Sequence, residues 1–261
     1  MKTAQFLDLW LDAMTYEQML KKIDGWLAGK PERSFHIATI NANCTTLAIK
    51  NERLRNIYNG ADIAGVDGIP FVYWIRYILR MPCDHLCAAE IILQLAEHAK
   101  ETNYRFYLYG GSPEVLSKMK ENLEARFPHM QIVGTMSPPF RALTPEEDEN
   151  IVQEINALHP DIIFIGLGTP KQDYWIEDHI YRIKGTVMLA AGATFDFFGG
   201  RIKMAPVYIR KSGFEWLFRL LSKDFFRLFK RYTVQNLIFL FNFLLQLLGL
   251  RKTSSARWVR T

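Results

Sequence analysis

The chain has 261 residues, 49% of them hydrophobic, which is enough for one substantial domain with a buried core plus an appendage. The net charge of +5 hides a segregation: residues 201–261 hold 13 bases and two acids (Glu215 and Asp224), net +11, while residues 1–200 hold 19 bases and 25 acids, net −6. An acidic body with a strongly basic end points to a polyanionic surface as partner, and the three cysteines, an odd count, argue for reduced thiols in the cytoplasm rather than a disulfide framework.

The first residues, Met1 to Asp8, carry an acid early and lack a long apolar run, so no signal peptide is expected. Gln5 to Leu11 reads as an opening strand. Thr15 with Gln18 forms a capping-box pattern for a helix running to about Leu27. Phe35 to Ile40 reads as a buried strand, and Asn43 to Tyr58 as one helix. Ala61 to Val66 is a short strand ending at Asp67-Gly68, followed by helices over Ile69–Arg80 and Ala88–Glu101. Cys83, His85 and Cys87 resemble metal ligands, but three candidates in one turn without a fourth partner make a weak zinc signal, and no metal is expected. Arg105 to Tyr109 is a strand ending in Gly110-Gly111-Ser112, with Pro113 at the favoured first position of the next helix. Gln131 to Gly134 is a strand, and Ser137-Pro138-Pro139-Phe140 is a candidate lid. Thr144-Pro145-Glu146-Glu147 opens a helix with an N-cap, a proline and an acid at the third position. Asp161–Ile165 and Val187–Ala190 are strands, ending in Gly166-Leu167-Gly168-Thr169-Pro170 and Gly192-Ala193-Thr194. Short apolar strands alternating with helices predict an α/β, Rossmann-like fold, with a mainly parallel sheet and helices on both faces.

The predicted organisation is a catalytic body over 1–200 and an appendage over 201–261. In the appendage Phe214, Leu217, Phe218, Leu221, Phe225, Leu228, Phe229 and Tyr232 recur at helical spacing, with Arg219, Lys223, Arg227, Lys230 and Arg231 on or beside the other face. Such a helix suits the interface of an anionic membrane. Thr233 to Leu250 carries no charge, but its apolar run is short of the ~20 residues a span needs. Asn242 and Gln246, four apart, leave a polar stripe, so a monotopic anchor or a homo-oligomer seam is favoured over a span. Nucleic acid is not expected as partner, because such a binder has no need of this apolar segment.

In open parallel sheets ligands sit beyond the carboxyl ends of the strands. That singles out Thr39-Ile40-Asn41, Asp67-Gly68, Gly110-Gly111-Ser112, Gly168 through Gln172 and Gly192-Ala193-Thr194. Glycine turns at helix starts let backbone N–H groups approach phosphate, and Lys171 adds a cation. Neither the dinucleotide nor the P-loop pattern is matched, so these turns taken alone are equally well ordinary tight turns. Asp67 is the strongest candidate for a general base, with capping of the following helix as the competing use of the same carboxylate. Asp196 stands similarly after Gly192. The absence of an Asp-x-Asp pair, of H-E-x-x-H and of G-x-S-x-G favours metal-free chemistry, with a leaving diphosphate stabilised by helix N-termini and basic side chains.

These stretches, together with Ala61 through Ile69, Phe106 through Glu114, Gly134 through Phe140, Gly166 through Gln172, Gly192 through Asp196, Arg201 through Pro206 and Gly213 through Leu220, resemble the WecG/TagA/CpsF family of glycosyltransferases, in order, to about Tyr232. The resemblance implies an inverting enzyme on the cytoplasmic face of the inner membrane, using a UDP-sugar donor without a cofactor and extending a polyprenyl-diphosphate-linked saccharide. It implies Asp67 as general base and Thr39 as a residue that places the reactants. It further implies that Asn41, Asp196 and Gly168, Thr169, Lys171 and Gln172 surround the UDP, and that the basic helix supplies arginines for the diphosphates. The candidate substrate-binding set is completed by Gly68, Gly110, Gly111, Pro139, Phe140, Gly192, Arg201, Arg210, Arg219 and Arg227. N-acetylmannosamine is the sugar most often associated with the family. One departure stands out: where the family usually shows Gly-x-Asp-Leu, this chain reads Cys83-Asp84-His85-Leu86. Two other classes compete. A nicotinamide-dependent oxidoreductase needs a glycine fingerprint that is missing, and a non-catalytic membrane adaptor would bind no nucleotide sugar.

Overall fold

The computed structural model describes residues 2–29, 31–203, 205–206, 209, 236–246 and 248–250. The predicted amphipathic helix Phe214–Tyr232, and with it Arg210, Arg219 and Arg227, lies outside the described residues.

The fold is mixed α/β around a mostly parallel sheet of eight strands. In chain order these are β1 (Lys2–Phe6), β2 (Leu9–Ala13), β3 (Phe35–Ile40), β4 (Ile63–Val66), β5 (Arg105–Gly110), β6 (Gln131–Met136), β7 (Ile162–Gly166) and β8 (Val187–Ala190). Their order in the sheet is β1-β2-β4-β3-β8-β7-β5-β6. Only β1 and β2 pair antiparallel among the registers resolved; β2–β4, β3–β8, β5–β6, β5–β7 and β7–β8 are parallel. Helices α1 (Tyr16–Ala28), α2 (Ala42–Lys50), α3 (Glu52–Asn59), α4 (Ile69–Tyr73), α5 (Ala88–Thr102), α6 (Pro113–Arg126), α7 (Pro145–Leu158), α8 (Lys171–His179) and α9 (Thr194–Phe198) fill the connections. Two compact units result: one from Met1–Thr15, Thr39–Cys87 and Met204–Thr261, the other from Tyr16–Ala38 and Ala88–Lys203.

In the first unit the single opening strand expected over Gln5–Leu11 is instead a hairpin. Leu7 adopts φ 52, an uncommon conformation for a branched residue, and the chain turns there without glycine or asparagine. Distant side chains supply what local sequence does not. The Asn59 amide donates to the Asp8 carbonyl (3.0 Å) and accepts from Trp10 N–H (3.0 Å), while Gln246 Oε1 accepts from Leu7 N–H (2.7 Å). The predicted helix Asn43–Tyr58 is two helices, because the Asn51 side chain accepts from Leu54 N–H and starts α3 inside the run. Similarly α4 loosens into a π-helical turn over Trp74–Ile78 instead of continuing as α-helix to Arg80.

Residues 236–246 are helical and pack one face on this unit. Phe239 and Phe243 lie with ring centroids 5.4 and 5.0 Å from Phe6, and Gln246 Nε2 donates to the Gln5 carbonyl (3.1 Å). Asn242 turns back on its own helix, donating to Ile238 O (2.7 Å). The opposite face, Leu237, Leu240, Phe241 and Leu244, is exposed, as are Tyr77 and Ile78 of the π-helical turn. Among the described residues no helix is long and apolar enough to cross a membrane.

In the second unit β5, β7 and β8 are buried on both faces, as parallel strands covered by helices must be. Tyr109 stacks on Trp175 at 4.4 Å, within a core that includes Tyr107, Ile155, Ile163 and Met188. The helix starts read from sequence are present: Ser112 caps α6 through Val115 N–H, and Thr144 with Glu147 closes a reciprocal capping box on α7. Register places Gly110 beside Gly166 and Ile165 beside Ala190, so three glycine turns leave one edge together. Contact there is close. A Cβ on Gly110, whose φ is +117, would lie 2.6 Å from the Gly166 carbonyl carbon. Gly110→Ala should therefore destabilise the protein by about 1–3 kcal/mol, read as a lower urea midpoint with unchanged slope.

Candidate active site

The first unit gathers a polar group at its strand ends. β4 is buried throughout, and Asp67 is the first residue to leave it, with its N–H donating to Ile40 O at 2.9 Å. The carboxylate does not cap α4: Gly68 holds the N-cap position there, without a side-chain bond. Instead Oδ2 accepts from Asn41 Nδ2 (3.1 Å), and Oδ1 lies 3.1 Å from His85 Nε2. Asn41 is fixed by a second duty. Its Oδ1 accepts from the N–H groups of Asn43 and Cys44 and so caps α2, which leaves only its NH₂ to face the carboxylate. Thr39, half-buried, is the penultimate residue of β3, and its carbonyl accepts from the Cys44 thiol. A Cβ on Gly68 would lie 2.7 Å from the Phe71 ring, so the backbone before α4 passes close over that side chain.

His85 reaches Asp67 because the 83–87 segment is laced to the strand ends. Asp84 N–H donates to Met14 O (2.9 Å) and Leu86 N–H to Val66 O (2.8 Å), while Arg76 binds the Cys83 carbonyl and the Asp84 carboxylate. Cys83 itself turns inward, and burial pushes its thiol up to about 11 despite the opposing pull of Arg76. Cys87 stays half-buried and, with Asp67 and His85, presents one ligand atom each, all within 4.8 Å of one another. The trio Cys83, His85 and Cys87, a weak metal signal in the sequence, is thus regrouped, with the Asp67 carboxylate in place of the buried Cys83 thiol.

The second unit gathers the remaining described candidates. Gln172 is buried, and its amide serves its own loop: Oε1 accepts from Gly168 N–H (3.1 Å) and Nε2 donates to Thr169 Oγ1 (3.4 Å). Gly192 passes against the same amide, since a Cβ there would meet Oε1 at 3.3 Å. Lys171 stands exposed at the first position of α8. Ser137 Oγ donates to Gly111 O (2.7 Å) and ties down the loop bearing Pro139 and the exposed Phe140. Asp196 and Arg201 form an ion pair at 3.6 Å.

The structure thus joins Asp67 to Asn41 and, separately, Gly168, Thr169 and Gln172 to Gly192. His85 is the residue that sequence reasoning missed as a partner of Asp67. Eighteen residues separate the two, and the only local pointer was the departure from the family pattern at Cys83-Asp84-His85-Leu86.

A model of the glycosyl transferase WecG/TagA/CpsF family matches residues 4–253. The chain belongs to this family. It is accordingly a glycosyltransferase, the activity that its curated relatives also carry in their names. Over 211 residues, covering 80% of this chain and 81% of the relative, it is 28% identical to the N-acetylglucosaminyldiphosphoundecaprenol N-acetyl-beta-D-mannosaminyltransferase of Staphylococcus aureus strain NCTC 8325 / PS 47. The enzyme of that name from strain MRSA252 matches at the same identity and coverage.

The double duty of Asn41 separates folding from orientation. Asn41→Ala and Asn51→Ala each remove one N-cap and should each cost about 0.5–2 kcal/mol in denaturant unfolding. Only Asn41→Ala also frees Asp67, so it alone should lower glycosyl transfer, by about tenfold to a hundredfold. Equal activities would show that the tether does not matter.

Proposed function

We propose that the protein is an inverting, UDP-sugar-dependent transferase of N-acetylmannosamine or a related hexose, hexosamine or uronate. Its acceptor would be a saccharide on undecaprenyl diphosphate at the cytoplasmic face of the inner membrane, for cell-surface polysaccharide. The acceptor class and the transferred sugar are supported by the relatives' name, and the UDP donor and the inversion by the resemblance to the family. The observation that carries the mechanism is Asp67, held at a strand end by Asn41 and His85 with one carboxylate oxygen on each. In this reading an acceptor hydroxyl oxygen bonds to the donor's anomeric carbon from the face opposite the nucleotide. The bond from that carbon to the UDP oxygen breaks, and the hydroxyl proton passes to Asp67. Thr39 helps place the reactants. The glycine turns 110–111 and 166–168, the start of α8 and Lys171 balance the charge of the departing UDP. Arg210, Arg219 and Arg227 are the proposed partners of the lipid diphosphate, and Arg201 and Asp196 lie on the nucleotide side.

Asp67→Asn should keep UDP binding, measured by calorimetry, and lose about 10²–10⁴-fold in turnover; turnover at the parental rate would remove Asp67 from this role.

Membrane attachment is proposed to be peripheral or monotopic. Leu237, Leu240, Phe241 and Leu244 present an apolar face on residues 236–246, and the basic residues of 210–231 add attraction to anionic lipid. A Leu240→Ser, Phe241→Ser, Leu244→Ser triple variant alters only exposed positions. It should retain the parental unfolding midpoint while sedimenting far less with phosphatidylglycerol vesicles. Parental sedimentation would assign attachment elsewhere.

A further inference from the structure

The Asp67, His85 and Cys87 group has a chemistry that base catalysis does not need. A carboxylate, an imidazole and a thiol converge, all within 4.8 Å. Zinc with bonds of about 2.0–2.3 Å to O, N and S places its ligand atoms roughly 3.3–3.7 Å apart in a tetrahedron. The Asp67–His85 separation of 3.1 Å is close to that spacing, and with all three ligand atoms within 4.8 Å of one another the Cys87 sulfur has to close in by no more than about 1 Å. Asn41 holds the other carboxylate oxygen, as outer partners of metal-bound carboxylates do. The His85 and Asp67 side chains are about a fifth exposed (22% and 23%) and Cys87 is half-buried, so the three donor groups are not sealed from solvent. His85 lies within, and Cys87 directly after, the segment Cys83-Asp84-His85-Leu86 that departs from the Gly-x-Asp-Leu pattern.

We propose that Asp67, His85 and Cys87 form a binding site for a zinc-class divalent cation, and that occupation switches the transferase off. As the cation enters, the Cys87 thiol gives its proton to solvent and its sulfur bonds the metal. Neutral His85 lends a ring-nitrogen lone pair, and Asp67 lends Oδ1. A carboxylate engaged in this way no longer takes the acceptor's proton. That second half rests on Asp67 as the base; the binding itself does not.

Co²⁺ titrated into the full-length protein should give, at one equivalent, the near-ultraviolet charge-transfer band of a thiolate–cobalt bond. Cys87→Ser should abolish the band, and His85→Ala should weaken binding by at least about tenfold. One equivalent of Zn²⁺ should slow iodoacetamide alkylation of Cys87, read by peptide mass, which needs no variant. A band that persists in Cys87→Ser, or alkylation indifferent to Zn²⁺, would overturn the site. In the activity arm Zn²⁺ should inhibit transfer, a chelator should restore it, and Cys87→Ser should need about tenfold or more Zn²⁺ for the same inhibition. Stoichiometric binding without inhibition would keep the site and overturn the switch. Asp67→Asn then tells whether the base assignment failed with it.

Discussion

Parallel strands in register must end together, and whatever follows them leaves through a crowded edge. In the second unit Gly110 lies beside Gly166 and Ile165 beside Ala190, and neither Gly110 nor Gly166 has room for a Cβ. The glycines at Gly110 and Gly166 follow from that crowding. Gln172 then spends its amide on holding its own turn open beside Gly192. A residue whose amide looks available for a ligand is thereby a support for the backbone that could meet one.

The first unit applies the same edge logic to a charge. Asp67 leaves a buried strand with a carboxylate that needs partners, and the fold supplies one for each oxygen. Because the Asn41 carbonyl oxygen is committed to the start of α2, its NH₂ is the only group it can turn to the acid. A helix cap thus fixes the partner of the Asp67 carboxylate, the proposed base, and links the stability of α2 to the geometry around it. His85 arrives by another route, on a segment laced to Met14 and Val66 by backbone bonds. That segment also brings the soft donor Cys87, and with it a chemistry that a lone carboxylate would lack.

The segment at 236–246 packs one face inward and leaves an apolar face exposed. Phe239, Phe243 and Gln246 complete the packing of the opening hairpin, whereas Leu240, Phe241 and Leu244 face outward. The polar stripe expected from Asn242 and Gln246 is spent within the protein, on Ile238 O and on the hairpin. What remains outside is more apolar than the sequence period alone suggests, and this suits a lipid interface.

Much of the fold was legible in the sequence, because its signals are local. Buried strands read as short apolar runs, and Ser112 with Pro113 and Thr144 with Glu147 announced α6 and α7 through bonds made within four residues. The glycine turns and Asp67 were likewise placed by the rule that parallel strands empty at one edge. What tertiary structure alone decided involves partners far apart in the chain. Leu7 turns a hairpin without glycine or asparagine while Asn59 and Gln246 satisfy the backbone around it. Asp67 meets His85 and Cys87, and Cys83 is withdrawn from them, because backbone bonds to Met14 and Val66 set where that loop lies. A sequence specifies bonds that close over a few residues; those that close over dozens exist only once the strands have set their neighbours side by side.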